Sequence, residues 1–213
     1  MKCAAKADGK AEKKLDLFAG HKSEYVAKAA AALVETKPAV YLAIEGSGEP
    51  GGKAFEEAIG ALYGIAFTVK MRRKFAGLGD YAIGKMEAQW PQCMAGGTLP
   101  DNRALWQWRI MIRTPEFVAA EELVAAAALQ IQRGKSPRVR EVELFPLDEG
   151  LCAQILHTGS YGRECESVAK MQALAESKGL HFTGVHHEIY LSDPRRVAEE
   201  KLRTILRCPV GKN

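Results

Sequence analysis

The chain carries an internal duplication. An apolar run ending at Gly46 and another ending at Gly159 are each followed by a helix-patterned segment and then an extended one. Half-domains that leave an apolar face uncovered pair about a pseudo-twofold axis, so duplication constrains this fold more than any single motif does. With Gly46 laid on Gly159, Lys85-Met86-Glu87-Ala88-Gln89-Trp90 stands opposite His186-His187-Glu188-Ile189-Tyr190-Leu191. Each repeat then presents one glutamate, Glu87 or Glu188, in a β-patterned strand beside a shared cleft.

The rest of the pattern reads as strand, helix, strand, strand, twice. Ala39 to Ile44 is a buried strand, Gly46 to Gly52 a turn, and Ala54 to Leu62 a helix. Ile65, Phe67, Val69 and Met71 alternate as a strand does, Tyr81 to Trp90 is the strand bearing Glu87, and Trp106, Trp108, Ile110 and Ile112 share one face of another. Thr114 and Pro115 open a helix running through Gln132. Val142 to Phe145 and Leu151 to Leu156 flank Asp148-Glu149-Gly150 as a hairpin, Glu164 to Lys178 is helical, and Phe182 to Leu191 and Leu202 to Val210 are the closing strands.

This order predicts an α+β fold: an antiparallel sheet with helices on one face and a ligand groove on the other. Residues 1–37 read as an N-terminal tail and short helical lead-in. Residues 38–210 read as a single domain of two repeats, about 38–134 and 135–210.

Of the 30 basic and 26 acidic side chains, eight lysines and five acids precede residue 38, so the body is close to neutral. No basic stripe or helix-turn-helix pattern argues for nucleic acid, and no apolar run approaches the ~20 residues of a membrane span. Five cysteines without a Cys-x-x-Cys pair suggest neither a disulfide framework nor a zinc ribbon, which fits a reducing cytoplasm. His186 and His187 are neighbours on a strand and point to opposite faces, so they cannot share a metal; no metal or other cofactor is expected. Gly46-x-Gly48-x-x-Gly51 matches a dinucleotide fingerprint formally. Pro50 removes an amide donor there, and Glu45 and Glu49 would repel a pyrophosphate, so that reading is rejected.

Four segments carry a resemblance. They are Tyr41-Leu42-Ala43-Ile44-Glu45-Gly46-Ser47-Gly48, Met86-Glu87-Ala88-Gln89-Trp90, Gln154-Ile155-Leu156-His157-Thr158-Gly159-Ser160-Tyr161, and His186 to Arg195. From about Pro38 to Val210 the chain resembles the GyrI-like small-molecule-binding family. That family shares its duplicated fold with the ligand-binding modules of multidrug-responsive transcription regulators. The chain is similar to the stand-alone branch, which implies a detoxifying hydrolase of cyclopropane-bearing, DNA-alkylating compounds of the duocarmycin and yatakemycin type, with a groove glutamate and aromatic residues implicated. The chain departs from the family where Trp90 is followed by Pro91 rather than a second tryptophan, and where Gly-Pro-Tyr becomes Gly159-Ser160-Tyr161.

Strand alternation groups Glu188 with Tyr190 and His186, and Ile189 with Leu191 and His187; the apolar pair is expected to face the helices. By the same logic Glu87 and Glu188 both look into the groove, Glu188 as general base and Glu87 as its partner, with Tyr190, or else Tyr161 or His187, as the assisting donor. Tyr161, Trp90, Trp106, Tyr63 and His187 complete the expected ligand contacts. The expected ligand is a hydrophobic aromatic small molecule. A non-catalytic binder or sensor of cationic aromatics would use the same groove. Whether the chain forms a homodimer is left open.

Overall fold

A computed structural model describes residues 14–96 and 99–212. After two short helical turns, α1 (Leu17–Gly20) and α2 (Lys22–Tyr25), the chain runs β1 (Ala32–Glu35), β2 (Ala39–Ser47), α3 (Lys53–Phe75), β3 (Met86–Trp90), β4 (Gln107–Thr114) and α4 (Ala120–Gln132). It continues as β5 (Glu143–Leu147), β6 (Leu151–Thr158), α5 (Glu164–Ser177), β7 (His181–Phe182), β8 (His186–Tyr190) and β9 (Arg203–Gly211). Neighbouring strands pair antiparallel in the order β1-β6-β9-β8-β3-β4-β2-β5, and β7 adds to β9. The two repeats meet where β3 pairs with β8, at the middle of the sheet.

The helices α3 and α5 cover one face. Ala58, Leu62, Ile65 and Val69 of α3 pack with Leu42, Ile44, Trp108, Ile110 and Ile112. Met171 and Ala175 of α5 pack with Ala153, Ile155, Leu206 and Cys208. The other face carries Tyr41, Ala43 and Met111 on one side and Ile189 and Ile205 on the other. Over its centre lies an N-terminal strap, in which Tyr25 packs on Ile189 and Ile205 and stacks on Phe18 at 4.8 Å.

Three local expectations fail, each for an identifiable reason. Ile65 to Met71 is not a strand but the second half of α3. The buried residues Leu62, Ile65, Ala66 and Val69 recur every three to four positions, and Phe67, which alternation would bury with them, is exposed. Thr114 ends β4, and the helix expected from Pro115 begins at Ala120, where Glu122 accepts a hydrogen bond from the Ala119 amide. β5 and β6 adjoin in sequence but form no hairpin: β5 pairs with β2, while β6 lies between β1 and β9. The strand β1 follows the strap and was not anticipated. Most of the expected tail, residues 1–13, lies outside the described residues. No described helix is long and apolar enough to cross a membrane.

Gly46 is required by contact. A Cβ built on it would overlap the ring of Trp108, whose indole N–H donates to the Gly48 carbonyl at 3.2 Å. Gly46→Ala should therefore destabilise the fold by about 1–3 kcal/mol, read as a lower urea midpoint at unchanged slope.

Candidate functional site

The strand registers decide which side chains can meet. Gly46 stands opposite Trp108, and Ala88 stands opposite Ile110, two residues further along β4. In the second repeat the Gly159 amide donates to Leu202, and Tyr190 stands opposite Thr204, again two residues further along. The structural counterpart of Ala88 is therefore Tyr190, and that of Met86 is Glu188. Glu87 corresponds to Ile189, with which it also pairs across the axis. The sequence alignment is one residue out in this strand, and a one-residue slip exchanges the faces.

Two corrections follow. Glu188, Tyr190 and His186 lie on the helix face, between α3 and α5, whereas Ile189, Leu191 and His187 lie under the strap. Glu87 and Glu188 point to opposite faces and cannot share one groove. Glu87 instead accepts a 2.9 Å hydrogen bond from the Tyr25 hydroxyl and lies 3.0 Å from His187 Nε2. His187 is fully buried there, so it belongs to the network below the sheet and not to the cleft.

In the cleft, Glu188 is held from several sides. The Tyr190 hydroxyl donates to Glu188 Oε2 at 2.7 Å, and His186 Nε2 lies 3.4 Å from Oε1. Tyr161, 39% exposed, stands edge-on to Tyr190 with ring centroids 6.0 Å apart. Burial, and then the charge of Glu188, raises the Tyr190 hydroxyl well above its ordinary range and pushes Tyr161 up to about 12, so both rings are neutral hydrogen-bond donors.

Glu164, the first residue of α5, is the component that sequence reasoning missed. Burial, and then the neighbouring Glu188 carboxylate, holds its carboxyl far above the usual carboxylate range, and its Oε1 is buried without a hydrogen-bond partner. Its only sequence signal is an acid in the first turn of a helix, which ordinarily reads as a favourable dipole contact. Cys93 also sits near Glu188; burial, and then that carboxylate, pushes its thiol up to about 11, which keeps it a poor nucleophile. Glu164, His186 and Glu188 each offer one donor atom within 4.8 Å of the other two, the only group of its kind among the described residues.

The expected aromatic residues divide. Trp90 is 4% exposed and meets Trp106 edge-to-face at 5.8 Å, so its ring is largely covered, while its indole N–H has no partner. Trp106 is anchored through its own N–H to the Pro100 carbonyl at 2.7 Å. Tyr63 is half-buried on α3, close enough to Asp193 and Arg195, beyond β8, for their charges to reach its hydroxyl. Two surface depressions lie elsewhere on the molecule. One of about 330 Å³ lies by Gly48, Lys53 and Arg103, the other of about 220 Å³ by His157, Arg163 and Lys170. Neither contains the Glu188 cluster, and size is a weaker guide than converging titratable groups.

Beneath the sheet, His187 Nδ1 lies 3.0 Å from Glu149, which also takes an Arg207 N–H at 3.3 Å. Burial alone would raise Glu149; His187 and then Arg207 outweigh it and hold the carboxyl at about 2, below its usual 4.5. A depressed folded pKa gives stability that is present above the unfolded value and is lost as pH falls through the folded one. Glu149 should therefore contribute on the order of 3 kcal/mol above pH 5 and lose it between about 4.5 and 2. Urea unfolding across that window, wild type beside Glu149→Gln, should show a shallower acid dependence in the variant.

Comparison with known proteins places the fold. The GyrI-like small molecule binding domain family matches residues 34–210. A conserved protein of solved structure from Listeria innocua is 33% identical, with 93% of this chain and 100% of that one aligned and a TM-score of 0.84. A structure described as a hydrolase from Listeria innocua is 32% identical over the same shares, with a TM-score of 0.83. The C-terminal domain of EcmrR, at 12% identity, covers 86% of this chain and 98% of its own with a TM-score of 0.55, a likeness of fold alone. Comparison with curated proteins gave no match.

Proposed function

Since the chain belongs to the GyrI-like small molecule binding domain family, we propose that its cleft hydrolyses strained, DNA-alkylating cyclopropane compounds of the duocarmycin and yatakemycin type, as a detoxifying step. The observation that carries this reading is Glu188, a carboxylate fixed by Tyr190 on the helix face of the sheet with Tyr161, Glu164 and His186 beside it. The relatives described as hydrolases support the reaction class.

Tyr190 occupies Oε2 of Glu188, and Oε1, approached by His186 Nε2 at 3.4 Å, is the oxygen that would orient water. As the water oxygen bonds to the strained carbon, Glu188 takes a proton; the ring C–C bond breaks and its electron pair moves into the conjugated carbonyl. That oxygen gains a proton, so the net change is addition of water. The Tyr161 hydroxyl, part-exposed beside Tyr190, is a neutral donor that would stabilise the developing oxyanion.

A second reading has its own support. Two adjacent carboxylates, Glu164 and Glu188, among tyrosines suit a cationic aromatic ligand that is held without reaction. Mass spectrometry of purified protein with a duocarmycin-type cyclopropane separates the two. Ring-opened, water-added product in molar excess over protein supports the hydrolase. Intact compound retained by the protein supports the binder, and one covalent adduct per chain would overturn both readings.

A further inference from the structure

Glu164, His186 and Glu188 are arranged as more than a base and its neighbours. Alternation on β8 puts His186 and Glu188 on one face, and the start of α5 brings Glu164 to them. The 3.4 Å between His186 Nε2 and Glu188 Oε1 is close to the ~3.3 Å that separates two donors on a tetrahedral ion with bonds near 2.0–2.1 Å. Glu188 Oε2 accepts from Tyr190, the outer contact that commonly orients a carboxylate ligand. Glu164 Oε1 is buried without a hydrogen-bond partner, a position that a cation displacing the carboxyl proton would fill.

We propose that Glu164, His186 and Glu188 bind one divalent transition-metal ion, zinc(II) or an ion of similar preference, leaving a coordination position open to the cleft. One imidazole nitrogen and two carboxylates balance a double positive charge and supply nitrogen and oxygen without sulfur. Magnesium would demand near-octahedral oxygen and retained waters, and calcium six or more oxygens, neither of which this trio supplies. The sequence ruled out His186 with His187, and those rings do point to opposite faces; the site becomes visible only when α5 delivers Glu164. Resting on the hydrolase reading, a bound ion would take the Glu188 oxygen that orients water, so zinc(II) inhibits turnover.

Titration of tag-free protein with cobalt(II) chloride, followed by visible absorption, and with zinc chloride, followed by calorimetry, tests the site without any substrate. One ion per chain is expected. Glu164→Gln and His186→Gln should each weaken binding more than about 10-fold, while Glu166→Gln, an exposed neighbour on the same helix, leaves it unchanged. Equal affinity in the wild type and both cleft variants would overturn the site. Should either variant fail to fold, X-ray absorption of the zinc-loaded wild type decides. One imidazole with oxygen donors supports the assignment, and a sulfur ligand overturns it. Zinc binding at these residues without inhibition would retain the site and remove Glu188 as base; hydrolysis by a protein that binds no zinc would remove the site and keep the base.

Discussion

Glu188→Gln should lower turnover of a cyclopropane substrate by roughly 10²–10⁴-fold while ligand binding is retained. The amide is nearly isosteric and its oxygen can still accept from the Tyr190 hydroxyl, so the cleft keeps its shape and loses only the proton acceptor. The informative partner is Glu87→Gln. If the two glutamates shared a groove, both variants would lose activity. With Glu87 beneath the sheet, bonded to Tyr25 and His187, its variant should keep turnover within a few-fold and instead lose about 1–3 kcal/mol of stability. Steady-state rates and urea unfolding on both proteins check this, and a Glu188→Gln protein as active as wild type would end the role assigned to that residue.

Arg207→Met should cause the largest loss of stability. Arg207 is 1% exposed and donates to Gln154 at 2.9 Å, to Glu149 at 3.3 Å and to the Glu24 carbonyl of the strap. Removing one partner of a buried charge network typically costs about 3–5 kcal/mol, because the remaining charge stays desolvated. For a chain of this size that corresponds to a fall in Tm of roughly 10 °C by calorimetry. Arg113, 2.7 Å from the Glu24 carboxylate, ties the strap to the same face independently, so the strap should stay docked in the variant at room temperature.

Legibility of this molecule from sequence divides by distance. The duplicated order, the antiparallel sheet and the coverage of one face by helices follow from patterns of 10 to 20 residues and could be read directly. The face from which Glu188 looks out could not, because it depends on a single-residue offset between repeats that the strand partners set. Met86 occupies the place assigned to Glu87, and no local periodicity distinguishes them. Glu164 was invisible for a related reason: it meets Glu188 across 24 positions, where a helix start happens to abut a strand. The strap network was missed because Tyr25 and Glu24 reach partners 62 and 89 positions away. The glutamates read as a pair lie on opposite sides of the sheet, Glu87 bonded to Tyr25 and His187 and Glu188 to Tyr190.

Fusing two repeats into one chain has a consequence for what the cleft can distinguish. A dimer of identical single repeats would set the same residue on both sides of its axis and offer an incoming molecule two equivalent orientations. Here the axis passes the Glu87–Ile189 pair, and the mirrored positions hold Met86 on one side and Glu188 on the other. Ala88, directly across from Glu188, has Tyr190 as its counterpart. One flank of the cleft is small and apolar, and the other is acidic and aromatic. If that flank is the binding site, an unsymmetrical guest would be seated in a single direction, so the handedness and polarity of its skeleton would become selectable properties.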